Sequence, residues 1–135
     1  MAGYSGTPLA KKLGIKEGHR VRIKNAPSNY LDLVSPTPEN VQISKSIRKD
    51  VDVFHFFTWS SSELSSELPK LISAIDQNGT IWISWPKKSS GVPSTVTEDT
   101  IRTVALPLGL VDVKVCAVDE TWSGLKLVIR KELRK

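Results

Sequence analysis

The stretch VDVFHFFTWSSSELSSELPKLISAIDQNGTIWISW, residues 51–85, decides the fold of this sequence. Its first part, Val51–Trp59, is rich in β-branched and aromatic residues and almost continuously apolar, which is typical of a buried parallel strand. A helical segment follows from Ser60, and Thr80–Trp85 has the pattern of a second strand. This order predicts a βαβ unit in a parallel sheet, because parallel strands need a crossover connection.

The helix between these strands carries start and stop signals. Ser60–Glu63 forms a capping box, in which the serine and the glutamate each satisfy a free backbone N–H at the helix start. Pro69 is expected to bend or split the helix, since its ring would strike the carbonyl of Ser65. Asn78-Gly79 is expected to end it. The apolar residues expected to face the core are Leu64, Leu68, Leu71, Ile72 and Ile75.

Before this unit, the chain shows signals for a short helix and a first strand. Thr7 is a candidate N-cap, Pro8 occupies the first helical position and Gly14 follows the last turn, so a helix is predicted between them. After a turn at Gly18, His19–Asn25 alternates polar and β-branched residues. This alternation predicts a strand with one face toward the core and a basic face toward solvent.

Residues 28–49 give a weaker signal. Tyr30–Val34 is expected to form one helical turn and Val41–Ile43 a short strand. Pro36 and Pro38 favour extended chain between them.

The C-terminal third predicts one more helix and a hairpin. Lys87–Val96 is a loop by composition, and Thr97 then caps a helix that closes at Gly109. Val111–Asp119 and Leu125–Leu133 have strand patterns, and their connection of five residues is too short for a parallel crossover. We therefore expect this pair of strands to be antiparallel.

Strands that alternate with helices predict one α/β domain over residues 1–135, with a mainly parallel, doubly wound sheet. An antiparallel hairpin after such units resembles the end of the methyltransferase version of this Rossmann-like fold. The sequence is thus expected to form a reduced methyltransferase-like domain whose front half is shortened.

Composition and charge narrow the class of protein. The net charge is +5 and 39% of the residues are hydrophobic, an ordinary globular balance. The lysines and arginines are scattered rather than grouped in a stripe with aromatic residues, so we expect no nucleic-acid partner. Cys116 is the only cysteine, and no apolar run reaches the ~18 residues of a membrane span. With no signal-peptide pattern at its start, the sequence predicts a cytoplasmic protein without disulfide or membrane contact.

The turn after the first strand bears on cofactor binding. In open α/β sheets, ligands bind beyond the carboxyl ends of the parallel strands, which places Asn25–Tyr30, Thr58–Ser62 and Trp85–Thr97 at the candidate site. A nucleotide site would need glycines in the first of these turns, so that the backbone could approach a phosphate. The turn Asn25–Asn29 has none. We therefore expect no dinucleotide or S-adenosylmethionine cofactor.

A loop and a turn near the candidate site carry polar groups. Lys87 and Lys88 follow a strand and could bind an anion. The alternative is a solvated loop, since Glu98 and Asp99 at the start of the next helix would repel an anion.

The turn before the last strand brings Asp119, Glu120 and Trp122 together in sequence. Two carboxylates held in different environments could act as an acid and a base. The alternative is a tight turn in which Gly124 has a positive φ and Trp122 folds onto the sheet. The tryptophans that could line an aromatic pocket, or serve only in packing, are Trp59, Trp82, Trp85 and Trp122.

The histidines and the cysteine are expected to be structural. His55 lies within an apolar strand and His19 at a strand start, and neither has a Cys, Asp or Glu at metal-ligand spacing. Cys116 has no activating cation predicted beside it. No metal site is predicted.

Motifs spread along nearly the whole chain carry a family resemblance. They are Tyr4–Ile15, Asn25–Pro27, Ser84–Lys88, Gly91–Pro93, Thr97–Asp99 and Ala105–Gly124. Together they resemble a family of small bacterial proteins known only as a domain of unknown function. The resemblance implies a bacterial cytosolic protein and supplies no activity, substrate or catalytic residue.

Two functions from different classes fit these residues. The first is a non-enzymatic binding module for an anionic small molecule or a protein partner. The second is a degenerate methyltransferase-like enzyme, or a hydrolytic enzyme that uses Asp119 or Glu120 with the lysine loop. The expected ligand-binding residues are Asn25, Trp85, Lys87, Lys88, Asp119, Glu120 and Trp122. A homodimer through an exposed sheet edge is a further hypothesis.

Overall fold

Six strands form a single sheet in the computed structural model of this protein, which describes residues 8–135. The helices are α1 (Leu9–Lys12), α2 (Tyr30–Val34), α3 (Ser61–Ala74) and α4 (Glu98–Ala105). The strands are β1 (Arg20–Lys24), β2 (Gln42–Ser44), β3 (Val51–Phe57), β4 (Ile75–Pro86), β5 (Leu110–Ala117) and β6 (Trp122–Ile129). Short 3-10 helices lie at Lys88–Ser90, Leu106–Leu108 and Lys131–Leu133. The expected cap Thr7 and the start of the family motif, Tyr4–Thr7, lie outside the described residues.

The order of the strands is β2-β1-β3-β4-β6-β5. β1 is parallel to β2 and β3, and β3 is parallel to β4. β6 is antiparallel to both of its neighbours, β4 and β5. The predicted fold class, a mainly parallel doubly wound sheet closed by an antiparallel hairpin, is confirmed.

Each face of the sheet has its own hydrophobic cluster. On one face, α3 and α4 pack with Leu64, Leu68 and Ile101 against strand residues such as Phe56 and Ile83. On the other face, the short helices α1 and α2 pack against a second cluster. The side chains that form this second cluster include Leu13, Tyr30, Val53, Phe57 and Trp82. The alternation of side chains along β3 and β4 supplies both clusters.

The predicted N-caps Ser60 and Thr97 are confirmed, but Glu63 does not complete the predicted capping box, because the Ser60 N–H donates to Thr58. The Ser60 hydroxyl accepts the N–H of Glu63 at 3.2 Å, and the Thr97 hydroxyl accepts the N–H of Thr100 at 3.2 Å. Pro69 does not split α3, which is continuous from Ser61 to Ala74.

The predicted end of α3 is wrong. The helix ends at Ala74, and β4 begins at Ile75 rather than at Thr80. Ile75 is buried and pairs with Val51, so tertiary pairing overrides the turn signal at Asn78-Gly79. A Cβ on Gly79 would lie 2.8 Å from the carbonyl oxygen of Val51, so the glycine is needed for close packing here.

The basic face of β1 is half-buried, which corrects the prediction of a solvent-exposed face. Lys24 forms an ion pair with Glu67 of α3. Arg22 donates from Nη1 to the Ile47 carbonyl at 2.8 Å and lies over the Phe54 ring. The helix and the loop that follows β2 thus cover this face.

The alternative reading of Gly124 as a turn glycine with positive φ is also wrong. Gly124 lies inside β6 and pairs with Ser84 and Cys116 on the two neighbouring strands. A Cβ at this position would lie 3.1 Å from Cε3 of Trp82 and 3.3 Å from the Ser84 hydroxyl oxygen. The absence of a side chain therefore makes room for two fully buried neighbours.

The edge strand β5 contains an irregularity. Its register with β6 shifts between Asp112 and Lys114, so that Val113 is left without a partner residue. Such a bulge bends the strand and interrupts its ladder of hydrogen bonds.

None of the helices in residues 8–135 is long and apolar enough to cross a membrane.

Replacement of Gly124 tests the packing between β4 and β6. We expect Gly124→Ala to lower the free energy of unfolding by about 1 to 3 kcal/mol, because Trp82 and Ser84 have little room to move. Urea denaturation measures this loss. Ser123→Ala, one residue away, is the control and is expected to change stability by about 0.5 kcal/mol or less. Equal stability of the two variants would contradict the packing argument.

Candidate functional site

The carboxyl ends of the parallel strands meet at one edge of the sheet, termed here the carboxyl edge. Lys24 of β1 lies beside Phe56, and Phe57 of β3 lies beside Ser84. The antiparallel strand β6 begins at the same edge, since Trp122 pairs with Pro86. β2 and β3 lie on opposite sides of β1, so the crevice between β1 and β3 is the topological switch point of the sheet.

Hydrogen-bonded polar side chains of the protein lie at this switch point. Asn25 adopts a left-handed backbone conformation, with φ of 57°, directly after β1. Its Nδ2 donates to the Phe57 carbonyl at 3.3 Å and lies 3.5 Å from Oε2 of Glu63. The Thr58 hydroxyl donates to Oε1 of Glu63 at 2.7 Å. We call Asn25, Thr58 and Glu63 the switch-point network.

The local structure at the start of α3 explains why Glu63 reaches this network. In a full capping box, its carboxylate would accept the N–H of Ser60. Here the Thr58 hydroxyl accepts that N–H at 3.2 Å, so the carboxylate is free to bond elsewhere. One helical turn later, Glu67 pairs with Lys24. Two carboxylates of α3 therefore tie the end of β1 to the helix.

An aromatic cluster lies next to the switch point. The Phe57 and Trp122 rings meet edge to face at 5.0 Å between centroids, and Trp59 lies 6.5 Å from Trp122. Trp59 is 52% exposed, so this cluster has a surface that a partner could contact. The sequence predicts a pocket or packing role for Trp59, and its exposure at this edge adds it to the candidate site.

Lys87 and Lys88 lie at the same edge. The backbone N–H of Lys87 donates to the Thr121 carbonyl at 2.8 Å, which holds the lysine loop beside the turn before Trp122. The Ser90 hydroxyl donates to the Lys87 carbonyl at 2.6 Å. Neither lysine ammonium forms an ion pair with a residue in the range 8–135. Both charges are thus available at the edge.

Two expected site residues have other roles in the structure. Trp85 points to the opposite face of the sheet from Trp122 and is part of the α3–α4 cluster, with 9% of its surface exposed. Trp122 pairs with Pro86 and shares its face of the sheet. Since successive side chains of a strand point to opposite faces, Trp85 lies on the other face. One oxygen of Asp119 accepts the N–H groups of Thr121 and Trp122 at 2.8 and 2.7 Å, so this carboxylate stabilises the turn. Glu120 is exposed.

A buried chain of hydrogen bonds lies beneath the aromatic cluster. The Tyr30 hydroxyl is 2.9 Å from Nδ1 of His55, and Nε2 of His55 is 2.7 Å from the Ser84 hydroxyl. All three side chains are almost completely buried. Burial lowers the pKa of His55 to about 3 and raises the pKa of Tyr30, so both groups are neutral at pH 7. These hydrogen bonds join α2, β3 and β4, so His55 has the structural role that the sequence predicts.

Cys116 and His19 are the remaining candidates. Cys116 lies near Lys12 and Lys114, contrary to the expectation of no cation, yet burial dominates and raises the pKa of its thiol. Nδ1 of His19 accepts the N–H of Lys16 at 3.1 Å. Within residues 8–135, no group of three or more His, Cys, Asp or Glu side chains could hold a metal ion.

Lowering the pH tests the buried histidine. The unfolded chain binds a proton at His55 near pH 6.5, whereas the folded protein does so only near pH 3. Stability is therefore expected to fall as the pH drops below 6.5, by up to about 1.4 kcal/mol per pH unit from this group. Nitrogen NMR of the imidazole gives a direct measure and is expected to show a neutral ring at pH 5. A titration midpoint near 6.5 in the folded protein would contradict the burial argument.

Replacement of Thr58 tests the switch-point network. Thr58→Val keeps the shape of this fully buried side chain but removes the partner of both the Ser60 N–H and the Glu63 carboxylate. We expect the free energy of unfolding to fall by about 1 to 3 kcal/mol, as for other unsatisfied polar groups. The control is Thr103→Val on the exposed side of α4. If chemical denaturation gave the same free energy of unfolding for both variants, the switch-point network would not contribute to stability.

Comparison with solved structures supports the fold assignment. The structure is similar to an S-adenosylmethionine-dependent methyltransferase from Aquifex aeolicus, with a TM-score of 0.64 and 17% identity over 90% of this chain and 88% of that chain. It is also similar to Aeropyrum pernix fibrillarin, solved with natively bound S-adenosyl-L-methionine, with a TM-score of 0.52 and 17% identity over 89% of this chain and 73% of that chain. A third similar structure is a protein of the NADB-Rossmann superfamily from Streptococcus agalactiae, with a TM-score of 0.57 and 9% identity over 95% and 70% of the two chains. At these identities, the similarity shows a shared fold alone.

The residues at the switch point do not fit the cofactor that such a fold suggests. Close approach of a nucleotide needs glycine in the turn after β1, and here Ala26 and Pro27 occupy that turn. The Asn25 amide also contacts the Phe57 carbonyl and the Glu63 carboxylate at this position. We therefore derive no chemical step through S-adenosylmethionine.

The sequence itself matches a protein family over most of its length. No curated protein matches the chain. The sequence model of a family described as a protein of unknown function (DUF3052) matches residues 41–131. This match confirms the resemblance drawn from the motifs, and it covers more than half of the sequence. The chain therefore belongs to the DUF3052 family of proteins of unknown function.

Proposed function

We propose that this protein is a non-enzymatic binding module that holds an anionic partner, a small anion or an acidic segment of a protein, at the carboxyl edge. The observation that carries this proposal is the switch-point network. Asn25 and Thr58 both contact the Glu63 carboxylate at the crevice in which proteins of this architecture place a nucleotide. A ligand that leaves this network intact binds on the outer surface of the edge.

The groups on that surface favour an anion. Lys87 and Lys88 offer two ammonium groups on a loop that is fixed by its hydrogen bonds to Thr121 and Ser90. A fixed loop loses less conformational entropy when a ligand binds. Trp59 and Trp122 lie at the same edge and provide apolar surface for the rest of the partner.

The sequence raised an objection to an anion at this position, namely the acidic start of α4. Arg102 weakens it, because Nη2 of Arg102 lies 2.6 Å from Glu98 and Nη1 lies 3.2 Å from Asp99. The arginine also pairs with Asp112 of β5 at 2.9 Å. One guanidinium thus offsets part of the negative charge at the start of α4, although it is shared among three carboxylates.

A second candidate function is a methyltransferase-like enzyme, and the fold is the observation that favours it. It requires that the switch-point network open and admit S-adenosylmethionine. The two candidates therefore differ in one measurable property, the affinity for this cofactor.

Ligand binding tests the proposal. A thermal-shift panel of adenosine monophosphate, glucose 6-phosphate, citrate and a polyglutamate peptide is expected to contain at least one ligand that raises the melting temperature by about 2 °C or more. The double variant Lys87→Ala with Lys88→Ala is expected to abolish this shift. Lys49→Ala, on an exposed loop elsewhere, is the control and should keep it.

Calorimetry with S-adenosylmethionine separates the two candidates. We expect no heat of binding at millimolar cofactor, because the contacts of Glu63 with Asn25 and Thr58 would have to break first. Binding of the cofactor, with loss of binding in a variant with a bulkier residue at Ala26, would favour the enzyme. A panel without any shift, or a shift that survives the double lysine variant, would overturn the binding module.

A further inference from the structure

A cleft of about 350 Å³ lies at the opposite end of the sheet from the carboxyl edge. It is formed where β3 and β4 begin and where β6 ends, beside the segment between α1 and β1. Its polar lining residues are Lys16, His19, Asp52, Asp76, Asn78, Thr80 and Lys126. The volume is at the lower end of the range for ligand pockets, roughly 300 to 1,000 Å³, and suits a small molecule.

Charged groups of both signs line this cleft without pairing. Lys16, Lys126, Asp52 and Asp76 form no ion pair with one another or with any other residue from 8 to 135. Opposite charges that share a cleft but remain apart leave space in which a ligand could contact both.

The two aspartates are oriented by the backbone. Oδ2 of Asp52 accepts the N–H of Arg20 at 2.8 Å, and Oδ2 of Asp76 accepts the N–H of Asn78 at 2.9 Å. Each bond uses one carboxylate oxygen, and a carboxylate can accept several hydrogen bonds. The aspartates are thus positioned acceptors for a donor in the cleft.

The lysines are crowded by like charges. Partial burial of Lys126 lowers its pKa, and the ammonium groups of Lys114 and Lys16 lower it further. A negative group beside these ammonium groups would relieve both effects. The N–H of Lys16 donates to Nδ1 of His19, which leaves Nε2 of the ring for a further hydrogen bond.

We propose that this cleft binds a small zwitterion of the free amino acid class. Lys16 and Lys126 bind its carboxylate, and Asp52 and Asp76 bind its ammonium group. Charge of both signs selects against a simple anion and a simple cation, since each would leave one pair of groups unmatched. The cleft shares no residue with the carboxyl edge, so this inference does not rest on the proposed function.

Amide NMR of the full chain tests the inference. The probes are the free L-amino acids, together with acetate and methylammonium as separate halves of a zwitterion. At least one amino acid at millimolar concentration is expected to shift the amide signals of Val53, Asn78, Thr80 and Val128 around the cleft. Acetate and methylammonium are each expected to bind at least about tenfold more weakly than the amino acid, because each makes only half of the charged contacts.

Matched variants locate the site. Lys126→Gln and Asp76→Asn are each expected to weaken amino acid binding by about tenfold, through loss of one charged contact. Asp76 is exposed, so the second variant keeps the test valid if the first one destabilises the sheet. Lys49→Gln, on an exposed loop, is the control with unchanged affinity. The inference is overturned if no amino acid shifts these signals, if acetate binds as tightly, or if both cleft variants bind normally.

Discussion

The contact between the Glu63 carboxylate and the Thr58 hydroxyl, at 2.7 Å, is the constraint on which the carboxyl edge depends. It places a negative group of α3 at the boundary between β1 and β3, where the amide of Asn25 approaches it. A carboxylate near the N-terminus of a helix is also favoured by the helix dipole. The same contact therefore stabilises the helix and occupies the position at which an open α/β sheet receives a ligand.

The face of the sheet that α1 and α2 cover is held by a different kind of contact. Its helices are only four and five residues long, so they cover the strands with few side chains. Specific hydrogen bonds fix them instead. The indole N–H of Trp82 donates to the Leu13 carbonyl at 2.9 Å and holds the end of α1, while Tyr30 of α2 bonds to His55. Buried polar groups that are fully satisfied position an element more exactingly than apolar contacts alone.

Local signals in the sequence predicted most of the fold and less of the site. The caps Ser60 and Thr97 and the strand pattern of Val51–Trp59 depend on nearby residues, and the structure confirms them. The early start of β4 at Ile75 depends on a partner in another strand, which a local pattern does not contain. The role of Thr58 was equally hidden from a local pattern. Its hydroxyl accepts the Ser60 N–H in place of Glu63, and this depends on the path of the chain after β3. Strand alternation could have placed Trp85 in the core once the pairing of Pro86 with Trp122 was known.

The shape of the two outer strands has a consequence for the behaviour of the protein at high concentration. Exposed strand edges are templates for aggregation, and natural proteins shorten or interrupt them. β2 at one border offers only three residues, and β5 at the other border is interrupted at Val113 next to the charged Lys114. Neither border gives a long, regular ladder for an incoming chain, so growth into amyloid-like stacks by strand addition is disfavoured.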